Sequence, residues 1–178
     1  MGEALQEDVG IVLYQKPIFE KDRLICIFCK RLGKISVLAK GALSIRSKKG
    51  QILQVFSYVD LLLRASNQFF YVQDCDLIDD FSSIRASYDH IQEASFFVRV
   101  VQDCVMQGQR NEALFNWLYT VLEWLHTKKY NETIHENIFM KFLTIEGIAW
   151  DTQGSKKPLT KPDFMALVEQ YSQRCLRL

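Results

Sequence analysis

The sequence lacks any apolar run that approaches the ~20 residues needed to span a bilayer, and its first eight residues are polar and acidic. With neither a span nor an export signal, we expect a cytoplasmic protein. The five cysteines are an odd number spread along the chain, which argues against a disulfide framework. Acidic residues are scarce in one stretch, where only Glu20 and Asp22 occur between Lys16 and Lys49.

Ten lysines and arginines lie in that stretch, which we call the basic segment (residues 16–49). Ten cations against two acids give it +8 in a chain of formal net charge +1, so the remainder sums to −7. This separation predicts one basic and one acidic surface, and the basic segment is where a polyanion would dock. Its cations are Lys16, Lys21, Arg23, Lys30, Arg31, Lys34, Lys40, Arg46, Lys48 and Lys49.

Up to about residue 77 the pattern is typical of strands. Five short runs rich in Val, Ile, Phe and Tyr are separated by turn-forming residues, at 9–14, 24–29, 35–39, 53–63 and 69–75. Several runs carry apolar residues on both alternating faces, as strands of a closed barrel or a covered sheet do.

Beyond residue 80 the apolar residues repeat every three or four positions, which predicts helices at 91–105, 114–125, 133–147 and 164–171. Asn111 is in position to cap the second. The sequence therefore predicts an α+β protein in which a five-stranded OB-fold barrel (residues 1–80) precedes an α-helical domain (residues 81–178).

OB barrels bind single strands by combining a positive groove with aromatic stacking platforms, and the basic segment has aromatic neighbours in Phe19, Phe28 and Phe56. We therefore predict nucleic-acid binding by all ten cations. The favoured ones lie at a hairpin turn and in the loop after the third strand, namely Lys34, Lys40, Arg46, Lys48 and Lys49. A solvated charged face, an RNA-binding OB factor and an adaptor that docks an acidic protein remain alternatives.

Metal binding and catalysis find little support. Cys26 and Cys29 have the spacing of a zinc half-site, but residues three apart on a strand face opposite sides, so we expect buried thiols and no metal. The dense carboxylate group at 74–80 lacks a general base and a glycine-rich loop, so we expect no cofactor and no enzymatic activity. Trp117 and Trp124, at helical spacing, are predicted core residues.

The order of residues is more specific than the composition. Four blocks, at 10–13, 20–24, 33–42 and 50–56, closely resemble the N-terminal signature of the bacterial DNA repair protein RecO, the recombination mediator family. The helical half resembles the family more loosely, through 113–115 and 139–147. The chain stops at Leu178, earlier than the resemblance leads us to expect, and 149–158 lacks the cysteines of a zinc module found in many relatives.

The resemblance implies an OB barrel joined to a helical domain, with no enzymatic turnover and a location at the bacterial nucleoid. Such a protein would bind single- and double-stranded DNA, anneal complementary strands and help RecA load onto strands coated by single-strand-binding protein. Its partners would be RecR, in some relatives RecF, and the acidic C-terminal tail of single-strand-binding protein. For that tail the helical half offers Arg99, Arg110, Lys128, Lys129 and Lys141.

Overall fold

The computed structural model describes residues 5–66, 69–127, 132–150 and 159–175. The first half contains the strands β1 (Leu5–Ile18), β2 (Asp22–Cys29), β3 (Gly33–Ala39), β4 (Tyr58–Ala65) and β5 (Phe70–Asp79), with helix α1 (Lys48–Ile52) between β3 and β4. The second half contains α2 (Ser82–Arg85), α3 (Tyr88–Cys104), α4 (Glu112–Thr127), α5 (Glu132–Glu146) and α6 (Lys161–Cys175). The predicted change from strands to helices is confirmed.

The strands form a closed barrel in the order β1, β2, β3, β5, β4, and β4 returns to β1. Only β3 and β5 are parallel, through the pairs Val37–Phe70 and Leu38–Tyr71. Strand β1 pairs with β4 through its first half and with β2 through its second half. Its pairing with β2 shifts register between Val12 and Tyr14, and such a bulge bends the strand. With a helix after the third strand, this is the OB fold that the sequence predicts.

One predicted strand is wrong in its extent. The apolar run at 53–63 does not begin a strand until Tyr58. Ser47 caps the short helix α1, and Leu53 ends that helix and is buried in the apolar cluster of the barrel. Gly50 packs so closely against the carbonyl oxygen of Ala42 that a Cβ there would overlap it. The Lys49-Gly50 pair is therefore part of a helix and not the turn that the sequence suggested.

Two apolar clusters organise the molecule. One fills the barrel with residues such as Val12, Ile25 and Val37. The other begins on the outer face of β1 and β2, at Ile11 and Phe28, and continues through α3 to α6. Strands β1 and β2 are apolar on both faces because one face fills the barrel and the other supports the helices.

Aromatic rings pack between the barrel and the helices. The Phe28 and Phe115 rings meet edge to face at 5.8 Å, and Tyr58 meets Tyr119 at 5.2 Å. One apolar cluster spans both halves. The division into two domains at residue 80 stays a prediction. None of the helices within the described ranges combines the length and apolar composition needed to cross a membrane.

Candidate nucleic-acid interface

The helical half covers one part of the outer barrel face. The Lys34 ammonium donates a hydrogen bond of 2.6 Å to the carbonyl oxygen of Gln102 on α3, and the Gln102 amide donates one of 3.0 Å to the carbonyl oxygen of Leu13. The Gly108 amide, after α3, donates to the carbonyl oxygen of Lys34 at 2.7 Å. Burial lowers the pKa of the Lys34 ammonium. Lys34, which the sequence predicts to bind DNA, thus joins the barrel to helix α3.

One row of five residues crosses the rest of that face in register, with one residue exposed and four half-buried. Lys16 pairs with Leu24, Leu24 with Leu38, Leu38 with Tyr71, and Tyr71 with Arg64. Their neighbours along the strands, including Ile25, Val37, Leu63 and Val72, are buried inside the barrel. Because side chains alternate along a strand, the row itself faces outward. We call it the open row (Lys16, Leu24, Leu38, Tyr71 and Arg64).

Tyr71 has two cations beside its ring. The Lys40 ammonium and the Arg64 guanidinium carbon each lie 5.2 Å from the ring centroid. Cations held against an aromatic ring on a strand surface are the combination with which OB barrels bind single strands. Arg64 and Tyr71 lie outside the basic segment, and the sequence analysis did not predict them as site residues. The alternation of buried Leu63 and Val72 with these polar neighbours is the signal that could have revealed them.

Two loops meet at the end of the barrel next to the open row. The Leu43 amide donates a hydrogen bond of 2.9 Å to the carbonyl oxygen of Lys21, which ties the loop after β3 to the β1–β2 turn. The Gly41 amide donates one of 2.8 Å to the Asp22 carboxylate. Four predicted cations at this end of the barrel are exposed and form no ion pair within the described part of the chain: Lys16, Lys21, Lys40 and Arg46.

Lys30 and Arg31 have acidic partners. Lys30 lies 3.3 Å from a Glu112 carboxylate oxygen, and Arg31 lies 3.7 Å from one of Asp8. Asp8 is buried and also accepts the backbone N–H groups of Val9, Arg31 and Leu32. Asp8 therefore holds the β2–β3 turn through the backbone, and both cations lie beside a carboxylate.

The other predicted cations lie on α1 or beside it. The Arg23 guanidinium donates to the Gln15 side chain at 2.9 Å, and the Lys49 ammonium donates to the carbonyl oxygen of Val72 at 2.7 Å. Lys48 lies 2.8 Å from Asp76 and 3.5 Å from Asp74. The hydrogen bond to Asp76 raises the pKa of Lys48. Of the five favoured cations, the structure thus places only Lys40 and Arg46 at the end of the barrel beside the open row.

The carboxylates at 74–80 have structural partners. Besides the contacts of Asp74 and Asp76 with Lys48, Asp79 accepts the Phe81 amide at 2.7 Å and Asp80 accepts the Ser82 amide at 2.9 Å. Hydrogen bonding from the Cys75 amide, with Lys48 nearby, lowers the pKa of Asp74. Across the described ranges, no three His, Cys, Asp or Glu side chains are arranged to hold a metal ion.

Cys26 and Cys29 face opposite sides of β2, as predicted. Cys26 packs against the helical cluster and Cys29 lies inside the barrel. Burial raises the pKa of both thiols, so both are protonated at neutral pH.

The predicted aromatic platforms differ in position. Phe28 and Phe56 are buried, so they cannot stack on a ligand, whereas the Phe19 side chain is exposed. Trp117 and Trp124 are buried as predicted, and the Trp117 indole donates to the carbonyl oxygen of Ile138 at 3.0 Å.

The partner-binding candidates lie on separate elements. Arg99 on α3 is 3.6 Å from Asp103, and Arg110 before α4 is 3.7 Å from Glu112. Lys141 is exposed on α5. Lys128 and Lys129 lie outside the described residues.

The fold and this site define an OB barrel with a basic, partly aromatic outer face, backed by a helical half. Residues 1–81 match the model of the family described as "Recombination protein O N terminal". The predicted resemblance to RecO is thereby confirmed.

Relatives named "DNA repair protein RecO" match beyond the barrel. The one from Alkaliphilus metalliredigens is 29% identical over 140 residues, which are 78% of this chain and 57% of the relative. The one from Clostridium acetobutylicum is 28% identical over 145 residues, 81% of this chain and 59% of the relative. The one from Acetivibrio thermocellus is 34% identical over 100 residues, 56% of this chain and 40% of the relative. The chain thus spans 40% to 59% of the length of these three proteins.

Proposed function

We propose that this protein is a RecO-like recombination mediator that binds single- and double-stranded DNA and acts without enzymatic turnover. The observation that carries this proposal is the open row, whose Tyr71 ring has the cations of Lys40 and Arg64 each 5.2 Å from its centroid. The names of the relatives support a role in DNA repair.

The chemistry of the open face suits strand annealing. Two DNA strands repel each other through their phosphates, and a surface that neutralises both lowers this barrier. Lys16, Lys21, Lys40 and Arg46 are exposed, so phosphates can reach them without breaking an internal ion pair within the described residues. Contacts between cations and phosphates carry no sequence information directly, so we expect little sequence preference.

The helical half is the proposed site of protein partners: RecR, RecF in some relatives, and the acidic tail of single-strand-binding protein on strands destined for RecA. An acidic tail with an apolar end requires an apolar groove with one or two cations beside it. Arg99, Arg110 and Lys141 are exposed cations of this half.

The test is an equilibrium titration of a labelled single strand with the full chain, run beside an annealing assay with complementary oligonucleotides. Changing Lys21, Lys40 and Arg46 together to Ala should weaken binding roughly hundredfold at about 0.1 M salt and slow annealing. The matched control changes Arg99, Arg110 and Lys141 to Ala, which removes the same charge from the helical half.

Three results would contradict the proposal. RNA outcompeting DNA would favour an RNA-binding factor. Failure to bind either nucleic acid at low salt, with an acidic protein partner retained, would favour an adaptor. Equal loss of DNA affinity in both triple variants would show that net charge, and not the open face, determines binding.

A further inference from the structure

Three phenylalanines adopt left-handed backbone conformations, with φ of 55° at Phe19, 77° at Phe56 and 46° at Phe81. A residue with a Cβ rarely adopts this conformation, because the Cβ crowds its own carbonyl oxygen. At Phe56 and Phe81 the cost is offset by packing, since their side chains are 6% and 0% exposed. Phe19 has no such compensation because it is 83% exposed. Neither its backbone nor its packing accounts for a phenylalanine at this turn.

A second large apolar side chain is exposed nearby. Ile45, in the loop after β3, is 97% exposed. The hydrogen bond from the Leu43 amide to the carbonyl oxygen of Lys21 joins this loop to the turn that carries Phe19. Lys21 lies two positions after Phe19, with the acidic Glu20 between them, and Arg46 directly follows Ile45. The two loops thus combine exposed apolar groups with exposed cations.

An unpaired nucleotide has the complementary chemistry, since it offers an apolar base face flanked by phosphates. We propose that Phe19 is a stacking residue for an unpaired DNA base, with Ile45 as the apolar surface beside it. This inference rests on the proposed function and adds an exposed aromatic residue in a loop to a surface already described by its cations and Tyr71. An apolar protein partner would not use Lys21 and Arg46, which makes the nucleotide the better match.

The test compares the full-length wild type with Phe19→Ala on two single strands of equal length, one with normal bases and one of abasic sugar-phosphate. Loss of one stacking contact should weaken binding to the normal strand roughly tenfold and leave binding to the abasic strand unchanged. The salt dependence should not change because no charge is removed. Tyr88→Ala is the matched control, since Tyr88 is an aromatic residue 72% exposed on α3, and it should bind both strands as the wild type does.

Phe19→Gly separates binding from folding. Glycine adopts positive φ readily, so this variant should unfold at a higher temperature than the wild type while losing affinity as Phe19→Ala does. A lower unfolding temperature would show that Phe19 serves the fold and would overturn the inference.

The two proposals fail differently. If the wild type binds the normal strand and Phe19→Ala binds it equally well, or loses affinity equally for both strands, the stacking role is refuted while DNA binding stands. If the wild type binds neither strand at low salt, the proposed function itself is refuted.

Discussion

The Lys34 ammonium and the Gln102 carbonyl oxygen are 2.6 Å apart and join strand β3 of the barrel to helix α3. Lys34 lies in the middle of the basic segment, and its position at the hairpin favoured a phosphate contact. Lys40 is exposed and lies over the ring of Tyr71, a member of the open row. Two lysines of one segment thus have different tasks, one in the fold and one on the proposed DNA surface.

Substitution by methionine should separate these tasks, because methionine keeps most of the aliphatic stem. Lys34→Met leaves the half-buried Gln102 carbonyl without its lysine donor and should lower the free energy of unfolding by about 1–2 kcal/mol. Lys40→Met should change it by less than about 0.5 kcal/mol. Urea denaturation and single-strand titration should rank the two variants in opposite order. The same order in both measurements would contradict the distinction.

Gly33 begins β3 with a φ of +73°, and a Cβ at this position would overlap the backbone carbonyl of Gln109. Gly33→Ala should therefore destabilise the protein by about 3 kcal/mol, because backbone cannot move aside as a flexible side chain does. Gly147→Ala is the control. Gly147 has a φ of +66° but open space around it, so the change should cost only about 1 kcal/mol. Equal losses in thermal or urea unfolding would show that β3 is not held against the 109–110 backbone.

Glu146 should make stability depend on pH. Burial raises the pKa of this carboxyl, although the Tyr171 hydroxyl donates to it at 3.1 Å and opposes the shift. Because its pKa is higher in the folded state, that state binds more protons just above pH 4.5, and the contribution of Glu146 to stability falls as pH rises through this range. Glu146→Gln removes the effect, so its stability relative to the wild type should be greater at pH 7 than near pH 4.

Urea denaturation at both pH values measures this difference. Glu123→Gln is the control. It removes the same charge from the exposed side of α4, so it should not show the pH dependence that Glu146→Gln shows. A relative stability of Glu146→Gln that does not change between the two pH values would contradict the account.

The five strands and four long helices are predictable from the sequence because their apolar residues repeat at the periods of strands and helices. Helix α1 was missed because it has only five residues, too few for a period, and because Gly50 suggested a turn. Asp8 shows a different limit. In the sequence it is the last of the eight residues of a polar and acidic N-terminus. In the fold it is buried and accepts hydrogen bonds from the backbone of Arg31 and Leu32.

The candidate site was predictable only in part. Charge composition identifies the basic segment, but not which of its cations the fold engages. That depends on contacts distant in sequence, such as Lys30 with Glu112 and Lys48 with Asp76. Arg64 joins the site from a strand without any excess of charge, through its contact with Tyr71. Segment charge is a local property, whereas the binding surface is set by the register of the barrel.

The salt dependence of single-strand binding tests the central claim that the open face of the barrel holds DNA. Four phosphate contacts would give a slope of log affinity against log salt near −3, from about 0.7 per contact. The account predicts that changing Lys21, Lys40 and Arg46 together to Ala flattens this slope by about 2, and that changing Arg99, Arg110 and Lys141 leaves it unchanged. An unchanged slope for the first variant, with native thermal unfolding, would contradict it.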